Sequence, residues 1–221
     1  VVQLLPGRGE TVGAQLTGDD RVRGVMFTGS TEVATLLQRN IASRLDAQGR
    51  PIPLIAETGG MNAMIVDSSA LTEQVVVDVL ASAFDSAGQR CSALRVLCLQ
   101  DEIADHTLKM LRGAMAECRM GNPGRLTTDI GPVIDSEAKA NIERHIQTMR
   151  SKGRPVFQAV RENSEDAREW QSGTFVAPTL IELDDFAELQ KEVFGPVLHV
   201  VRYNRNQLPE LIEQINASGY G

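Results

Sequence analysis

Cysteine is scarce in this chain, and two kinds of stabilising site are thereby disfavoured. Only three cysteines occur among 221 residues, with no Cys-x-x-Cys pair and no cysteine–histidine spacing of the zinc-binding kind. A disulfide framework and a metal site are therefore not expected. A reducing, cytoplasmic setting is the simplest interpretation of this composition.

Long apolar runs are also missing. No stretch approaches the ~18 consecutive apolar residues that a membrane span needs, and the best candidate, residues 75–84, is interrupted by Asp78 and Ser82. The N-terminus carries no basic segment followed by an apolar one. We therefore expect no membrane contact from this chain.

Positive charge is in the minority. The 22 lysine and arginine residues face 29 aspartate and glutamate residues, which gives a net charge of −7. Nucleic-acid binding needs clustered Lys and Arg against phosphate, whereas the densest basic stretch, residues 150–154, holds only three positive side chains. We interpret that stretch as a solvated helix end and expect no nucleic-acid partner.

The two ends lack the polar, loosely ordered character that is usual for chain termini. The chain opens without Met in an apolar run, residues 1–5, and closes on Gly221 directly after a helical pattern. We therefore expect a truncated piece of a longer protein.

The apolar pattern alternates between strands and helices and predicts an α/β fold with a parallel sheet and crossover helices. A boundary is expected near Gly59 and Gly60. The predicted strands cover residues 1–5, 23–28, 52–56, 63–66, 95–99, 156–160, 174–183 and 197–203. The predicted helices are residues 31–45 with Ser30 or Thr31 as N-cap, the apolar faces from Leu71 to Ala83 and from Ala104 to Cys118, and residues 136–152 and 208–217. Residues 161–171 are predicted to form an exposed loop.

Cys91 stands in a different context from the other two cysteines. Cys98 lies in an apolar strand and Cys118 on an apolar helix face, so both are expected to be small core residues. Cys91 instead lies in the turn Ser-Ala-Gly-Gln-Arg-Cys-Ser-Ala, with Arg90 beside it and Arg95 nearby. Flanking positive charge and exposed backbone amides favour the nucleophilic thiolate. Cys91 is therefore a candidate nucleophile, and a buried loop cysteine is the alternative.

Glu57 ends an apolar strand and is followed by Thr58, Gly59 and Gly60. Paired glycines let a ligand approach the backbone closely. A carboxylate that is partly desolvated by such surroundings holds a proton more readily, which suits a general base. A solvent-facing glutamate at a strand end would give the same pattern, so both interpretations stay open.

Two further motifs suit cofactor binding. Gly29 and Ser30 join a strand to a helix, and such a turn presents amide groups to a phosphate, although no G-x-G-x-x-G fingerprint occurs. Glu192 and Phe194 precede a Gly-Pro pair. Extended backbone would put both side chains on one face, which suits a hydrogen bond to a sugar hydroxyl beside a ring. A plain strand–helix turn and a core phenylalanine are the alternatives.

In their order along the chain, these motifs resemble the aldehyde dehydrogenase superfamily. They read Phe-Thr-Gly-Ser-Thr-Glu, Glu-x-Gly-Gly, Gly-Gln-x-Cys and Glu-x-Phe-Gly-Pro, and the spacing from Glu57 to Cys91 is the usual one in that family. The segments around Glu57 and Cys91 are similar, more narrowly, to the pyrroline-5-carboxylate dehydrogenase branch, as it occurs in the bifunctional proline-utilization family of bacteria.

The resemblance implies an aldehyde dehydrogenase-like α/β fold in two truncated parts. Residues 1–58 would be the C-terminal part of a Rossmann-type NAD-binding domain, and residues 59–221 a catalytic thiol domain that is incomplete at its C-terminus. Cys91 would attack the aldehyde, a hydride would pass to NAD, and Glu57 would activate the water that releases the acid. The implied substrate is glutamate γ-semialdehyde, whose carboxylate Ser92 would help to hold.

The resemblance also implies a cofactor and a set of cofactor contacts. NAD is the cofactor, FAD would belong only to a separate domain of a longer parent, and the parent would be a homo-oligomer with a small-molecule aldehyde as substrate. The implied NAD contacts are Gly29 and Ser30 at the pyrophosphate, Val33 at the adenine, Glu192 at the nicotinamide ribose, Phe194 beside the nicotinamide, and Thr58 and Gly59.

Several parts of such an active site would lie outside the chain. The family's oxyanion-hole asparagine and its adenosine-ribose lysine and glutamate are expected before residue 1, and its substrate-anchoring loop and oligomerisation strand after residue 221. Because one oxyanion donor is worth about 2.7–4 kcal/mol, the piece alone is expected to be inactive. Three alternatives remain: another NAD(P)-dependent aldehyde dehydrogenase, a CoA-acylating one, against which the Glu57 motif speaks, and a structural or interaction module without chemistry.

Overall fold

The computed structural model of the chain describes residues 2–159 and 172–220. The chain divides into two compact units, Val1–Gly59 and Gly60–Gly221. The loop predicted at residues 161–171 and the last residue of the strand predicted at 156–160 lie outside the described residues. Within the described part, no helix combines the length and the apolar character that crossing a membrane requires.

The first unit contains a parallel pair of strands. Thr28 pairs with Glu57 in the register of this sheet, so the carboxyl ends of both strands lie side by side. Its elements, in chain order, are a π-helical turn at Gly9–Gly13, α1 (Ala14–Gly18), β1 (Val25–Thr28), α2 (Thr31–Ile41) and β2 (Leu54–Glu57).

Two predictions for the first unit are wrong. Residues 2–5 form no strand; Val2 is fully exposed and Leu4 is 89% exposed, and a strand needs a ladder partner for its backbone groups. Helix α2 ends at Ile41 rather than at residue 45. The Arg44 guanidinium donates to the carbonyls of Asp19 and Val22 at 2.7 and 3.2 Å, which draws the chain out of the helical path.

The second unit is built on a five-stranded sheet in the order β3-β4-β7-β6-β5, in which only β5 runs antiparallel to its neighbour. The predicted parallel sheet is confirmed. The strands are β3 (Ala63–Val66), β4 (Val96–Gln100), β5 (Val156–Gln158), β6 (Thr179–Leu183) and β7 (Val197–Tyr203). The helices are α3 (Thr72–Phe84), α4 (Asp101–Glu117), α5 (Ser136–Ser151) and α6 (Leu208–Ala217), with 3₁₀ turns at Asp85–Gly88, Phe186–Glu188 and Arg205–Gln207.

The central strands are buried along their whole length. All five residues of β4 are buried, which is typical of a parallel strand covered on both faces. Truncation of a side chain such as Leu97 to Ala would cost about 2–5 kcal/mol. The helices turn their predicted apolar faces inward, with one exception: Leu71 is 66% exposed, because it is the residue before the first turn of α3.

Candidate active site

Cys91 is exposed and lies on the turn that leads into β4. The chain reaches it through three consecutive residues with left-handed backbone: Ser86 (φ 56°), Ala87 (φ 53°) and Gly88 (φ 66°). Only Gly adopts this conformation at little cost; a non-Gly residue there costs of order 1–3 kcal/mol. A Cβ atom at Gly88 would also collide with the carbonyl of Gly195. The turn is therefore held in a strained shape by what surrounds it.

Asn62 fixes the peptide that carries Cys91. Its Nδ2 donates to the carbonyls of Cys91 and Ala93 at 2.7 and 2.8 Å. Its own carbonyl accepts from the amides of Arg95 and Val96. Asn62 was not among the candidate residues, although its place as a polar residue between a glycine pair and an apolar strand was a signal of its role.

The Arg90 side chain binds the C-terminal end of α3. Its Nη2 donates to the carbonyls of Ala81 and Ser82 at 3.0 and 3.5 Å, which are in the last turn of α3. A cation at this position interacts favourably with the negative end of the helix dipole. The expectation that Arg90 activates the Cys91 thiol directly is therefore not supported by its contacts.

Arg95 is the charged residue around which the thiol turn is built. Its side chain is fully buried at the start of β4. It donates to the carbonyls of Gly88 at 2.7 Å, Arg90 at 3.0 Å and Gly195 at 3.3 Å, and to the Glu192 carboxylate at 2.8 and 3.0 Å. Burial lowers the pKa of Arg95, and its hydrogen bonds with Glu192 act in the opposite direction. From the sequence, Arg95 was expected only to supply positive charge near Cys91.

Glu192 and Phe194 both face Arg95. The Glu192 side chain is 12% exposed and forms an ion pair with Arg95, and the Arg95 guanidinium lies 5.2 Å from the centre of the Phe194 ring, within cation–π range. Phe194 is 47% exposed, so it is not the core phenylalanine of the alternative interpretation. Both side chains line a cavity of about 570 Å³, together with Gln89 and His145.

Two histidines that lie 54 positions apart in the chain, His145 and His199, form a pair at the base of this site. Nε2 of His145 lies 2.8 Å from Nε2 of His199, and Nδ1 of His199 lies 3.2 Å from the Arg95 carbonyl. A carbonyl only accepts, so we assign the hydrogen to Nδ1 of His199, whose Nε2 then accepts from His145. Burial, followed by the charge that His145 would carry, lowers the pKa of His199 to about 3. The pair is therefore neutral at pH 7.

In the first unit, the Gly29–Ser30 turn lies at the carboxyl edge of the sheet. The Gly29 amide donates to the Glu57 carbonyl at 3.1 Å. Ser30 is confirmed as the N-cap of α2, since its Oγ accepts from the Val33 amide at 3.2 Å. Gly29, Ser30 and Val33 are all exposed. Ligands of open α/β sheets bind at this edge.

The Glu57 side chain is exposed at the end of β2, in line with the solvent-facing interpretation that the sequence left open. Thr58 and Gly59, which follow it, are half-buried. Glu57 belongs to the first unit and Cys91 to the second. Among residues 2–159 and 172–220, no group of three or more His, Cys, Asp or Glu is arranged to hold a metal ion.

Comparisons with known proteins agree with the resemblance. The model of the aldehyde dehydrogenase family matches residues 1–221. The chain is 93% identical over 221 residues to the bifunctional protein PutA of Salmonella typhimurium, and it spans 17% of that protein's length. It is 32% identical over 224 residues to a 1-pyrroline-5-carboxylate dehydrogenase of Anoxybacillus flavithermus, of which it covers 42%.

Solved structures have the same fold. A crystal structure of Bradyrhizobium japonicum proline utilization A superposes with a TM-score of 0.87 at 45% identity, covering 97% of this chain and 21% of that one. Betaine aldehyde dehydrogenase of Staphylococcus aureus in complex with NAD⁺ gives 0.83 at 30% identity, covering 95% of this chain and 40% of that one. The predicted aldehyde dehydrogenase-like α/β fold is confirmed, and the chain belongs to the aldehyde dehydrogenase family.

Proposed function

We propose that this chain is part of an NAD-dependent dehydrogenase that oxidises L-glutamate γ-semialdehyde, formed from pyrroline-5-carboxylate, to glutamate in proline catabolism. The observation that carries the proposal is the exposed Cys91 turn, which Asn62 and the buried Arg95 hold in place. The identity to PutA and to 1-pyrroline-5-carboxylate dehydrogenase supports the choice of substrate. Residues 1–58 are proposed as part of the NAD-binding domain, and residues 59–221 as the catalytic domain; the compact units meet one residue later, between Gly59 and Gly60.

Cys91 is the proposed nucleophile. Its thiolate attacks the aldehyde carbon, forming a carbon–sulfur bond while the carbonyl electron pair moves to oxygen. The exposed position of the thiol supports this role, since the substrate can reach it. Ser92 is exposed on the same turn, where its hydroxyl can donate to the substrate carboxylate.

Glu57 is the proposed general base for the second half-reaction. Its carboxylate takes a proton from water, the water oxygen attacks the thioester carbon, and the Cys91 thiolate leaves. The exposure of Glu57 supports access of water to the carboxylate. Such a base distinguishes hydrolysis from transfer of the acyl group to CoA.

Residues of each unit suit one part of NAD. Gly29 and Ser30 present a helix N-terminus at the carboxyl edge of β1 and β2, which suits a pyrophosphate, and Val33 lies one turn away for the adenine, with Thr58 and Gly59 on the adjoining strand end. Glu192 lines the cavity with an acceptor for ribose hydroxyls, and Phe194 offers a half-exposed ring beside it. When bound, NAD accepts a hydride from the substrate carbon. FAD is assigned to none of these residues.

The proposal extends to the setting of the parent protein. A reduced, cytoplasmic environment keeps the Cys91 thiol available, and Cys91 is exposed and forms no disulfide. A homo-oligomeric parent is part of the same proposal.

The test is an assay of the full-length gene product with glutamate semialdehyde and NAD, with and without CoA. NADH and glutamate are expected without CoA. Activity that requires CoA and yields an acyl-CoA would favour the CoA-acylating alternative. Oxidation of other aldehydes without any turnover of glutamate semialdehyde would overturn the proposed substrate.

A further inference from the structure

We infer that Arg95 is a positioning residue that sets the Glu192 carboxylate for the cofactor and locks it to the Cys91 turn. This inference rests on the proposed function, since it concerns how Glu192 receives NAD. It goes beyond that function because the motifs gave Arg95 only the role of positive charge near Cys91.

Arg95 uses its entire donor set. A guanidinium has five N–H groups in a planar fork, and Arg95 makes five hydrogen bonds: Nε and Nη2 to Glu192, Nη1 to Gly88 and Gly195, and Nη2 to Arg90. The side chain is fully buried. A buried cation with every donor satisfied has one stable orientation, because any rotation would strand a donor.

The bonds of Arg95 join two segments that are distant in sequence. Gly88 and Arg90 belong to the turn that carries Cys91, while Glu192 and Gly195 belong to the motif before β7. The backbone of Arg95 is fixed as well, because its carbonyl accepts from the amide of His199 at 2.9 Å. A shift of either segment would therefore be transmitted to the other through one rigid side chain.

Arg95 binds only one of the two carboxylate oxygens of Glu192, which leaves the other oxygen for a ligand. Both guanidinium contacts end on Oε1 at 2.8 and 3.0 Å. Among the hydrogen bonds of the described residues, none to this carboxylate ends on Oε2. Glu192 lines the cavity of about 570 Å³, so Oε2 is the oxygen available to a ribose hydroxyl. Arg95 thus sets the carboxylate without consuming the acceptor that the cofactor needs.

Lysine cannot reproduce this arrangement. An ammonium keeps the charge but is a point donor with three N–H groups, so it cannot satisfy three carbonyls and both contacts to the carboxylate. Arg95→Lys therefore keeps the positive charge beside Glu192 but removes the hydrogen bonds that orient its carboxylate. Loss of an oriented, charge-assisted contact corresponds to about a tenfold change in an equilibrium constant.

The experiment is a double-mutant cycle in the full-length gene product, with wild type, Arg95→Lys, Glu192→Gln and the double variant. The KM for NAD and kcat are measured per active site, with sites counted from the NADH burst. Arg95→Lys is expected to raise the KM for NAD about tenfold, and the same change in the Glu192→Gln background by less than about twofold, because Arg95 acts through Glu192. Independent, multiplying effects would overturn the inference.

A purely structural role gives a different result. Arg95→Lys would then reduce the number of active sites, while the remaining sites kept the wild-type KM for NAD; that outcome also overturns the inference. Arg112→Lys is the matched control, since Arg112 also pairs with a half-buried glutamate of the same unit, Glu182, at 2.5 Å, and no change in KM is expected. A wild type that makes no NADH would instead refute the proposed function.

A second measurement needs no variant. In a crystal structure of the full-length protein with NAD, Arg95 is expected to keep both bonds to Oε1 of Glu192, with a ribose hydroxyl on Oε2. A ribose bound to Oε1, with the Arg95 bonds broken, would contradict the inference even if Arg95→Lys does not fold.

Discussion

The Arg95 guanidinium and the Glu192 carboxylate form an ion pair across 97 positions of the chain, with Nη2 2.8 Å from Oε1. The pair joins two motifs that the sequence presents as separate, the thiol turn and the segment before β7. Removal of one partner from a buried ion pair typically costs 3–5 kcal/mol. The candidate nucleophile and the candidate ribose ligand of the second unit are thus parts of one packed structure.

Cys91→Ala in the full-length gene product is expected to abolish oxidation of glutamate semialdehyde, by at least about a thousandfold in kcat, because no other group supplies the nucleophile. NADH formation is the measurement. Cys118→Ser is the matched control: the Cys118 Sγ donates to the Ala114 carbonyl, a bond that a serine hydroxyl can keep, and full activity is expected. Normal turnover in the Cys91 variant would refute its role.

Gly88→Ala is expected to destabilise this chain by about 2 kcal/mol or more, because a left-handed backbone costs an Ala ~1–2 kcal/mol and the new Cβ would collide with the Gly195 carbonyl. Gly113→Ala is the matched control within α4. Its Cβ would meet no atom within 4 Å, so a gain of roughly 0.5–1 kcal/mol is expected. Urea unfolding measures both. Equal effects would show that the thiol turn is not tightly packed.

The histidine pair makes the chain less stable in mild acid. His199 has a folded-state pKa of about 3 against an ordinary value of 6.5, and desolvation also lowers the pKa of His145, with Lys152 as the second cause. Above pH 6.5, neither the folded nor the unfolded chain binds a proton at His199, so this histidine does not lower the free energy of unfolding. Between pH 6.5 and about 3 the unfolded chain is protonated at His199 while the folded chain is not, so stability falls by about 1.4 kcal/mol per pH unit for His199 alone.

Urea unfolding at pH 7 and pH 5 tests this dependence. His199→Gln is expected to reduce the difference between the two pH values. His106 is exposed, and His106→Gln is expected to leave the difference unchanged. A chain that is equally stable at both pH values would contradict the assigned neutral pair.

The sequence predicts the strands and helix ends whose signals lie in neighbouring residues, such as apolar runs and N-cap side chains. Strand β3 and strand β7 lie at the predicted residues, because short runs dominated by apolar and β-branched residues are typical of strands in a covered parallel sheet. The N-cap of α2 is Ser30, one of the two residues, Ser30 and Thr31, that the sequence allows. Residues 2–5 were wrongly predicted to form a strand. A strand needs a neighbouring strand for its backbone hydrogen bonds, and an apolar pattern alone does not show whether one is present.

The candidate site was predicted only in part, for a related reason. The exposed Cys91 turn has a local signature in small residues, whereas the bonds of Arg95 and Asn62 and the pairing of His145 with His199 depend on tertiary contacts. A charged residue at the start of a buried strand, such as Arg95, was the one available signal of the ion pair. The exposure of Glu57 could not be read from its apolar neighbours.

This chain by itself is expected to bind NAD weakly or not at all and to be inactive. Its first unit holds only two strands among the described residues, and Met26 and Ile55, which pair in the sheet, are 83% and 56% exposed. Two apolar side chains of this sheet are therefore open to solvent, which weakens the support for the proposed cofactor residues. Calorimetry with NAD is the measurement, and micromolar affinity would contradict the expectation.

The most direct test of the account uses Glu57→Gln in the full-length gene product, with Glu73→Gln as the control, because Glu73 is an exposed carboxylate in the first turn of α3. The base is needed for hydrolysis but not for acylation, so the Glu57 variant is expected to give one burst of NADH and then stall, while the control turns over normally. Mass spectrometry of peptides from the stalled enzyme is the decisive measurement. An acyl group on the peptide containing Cys91 is the predicted result; steady turnover without an adduct, or an adduct on Cys98 or Cys118, would contradict it.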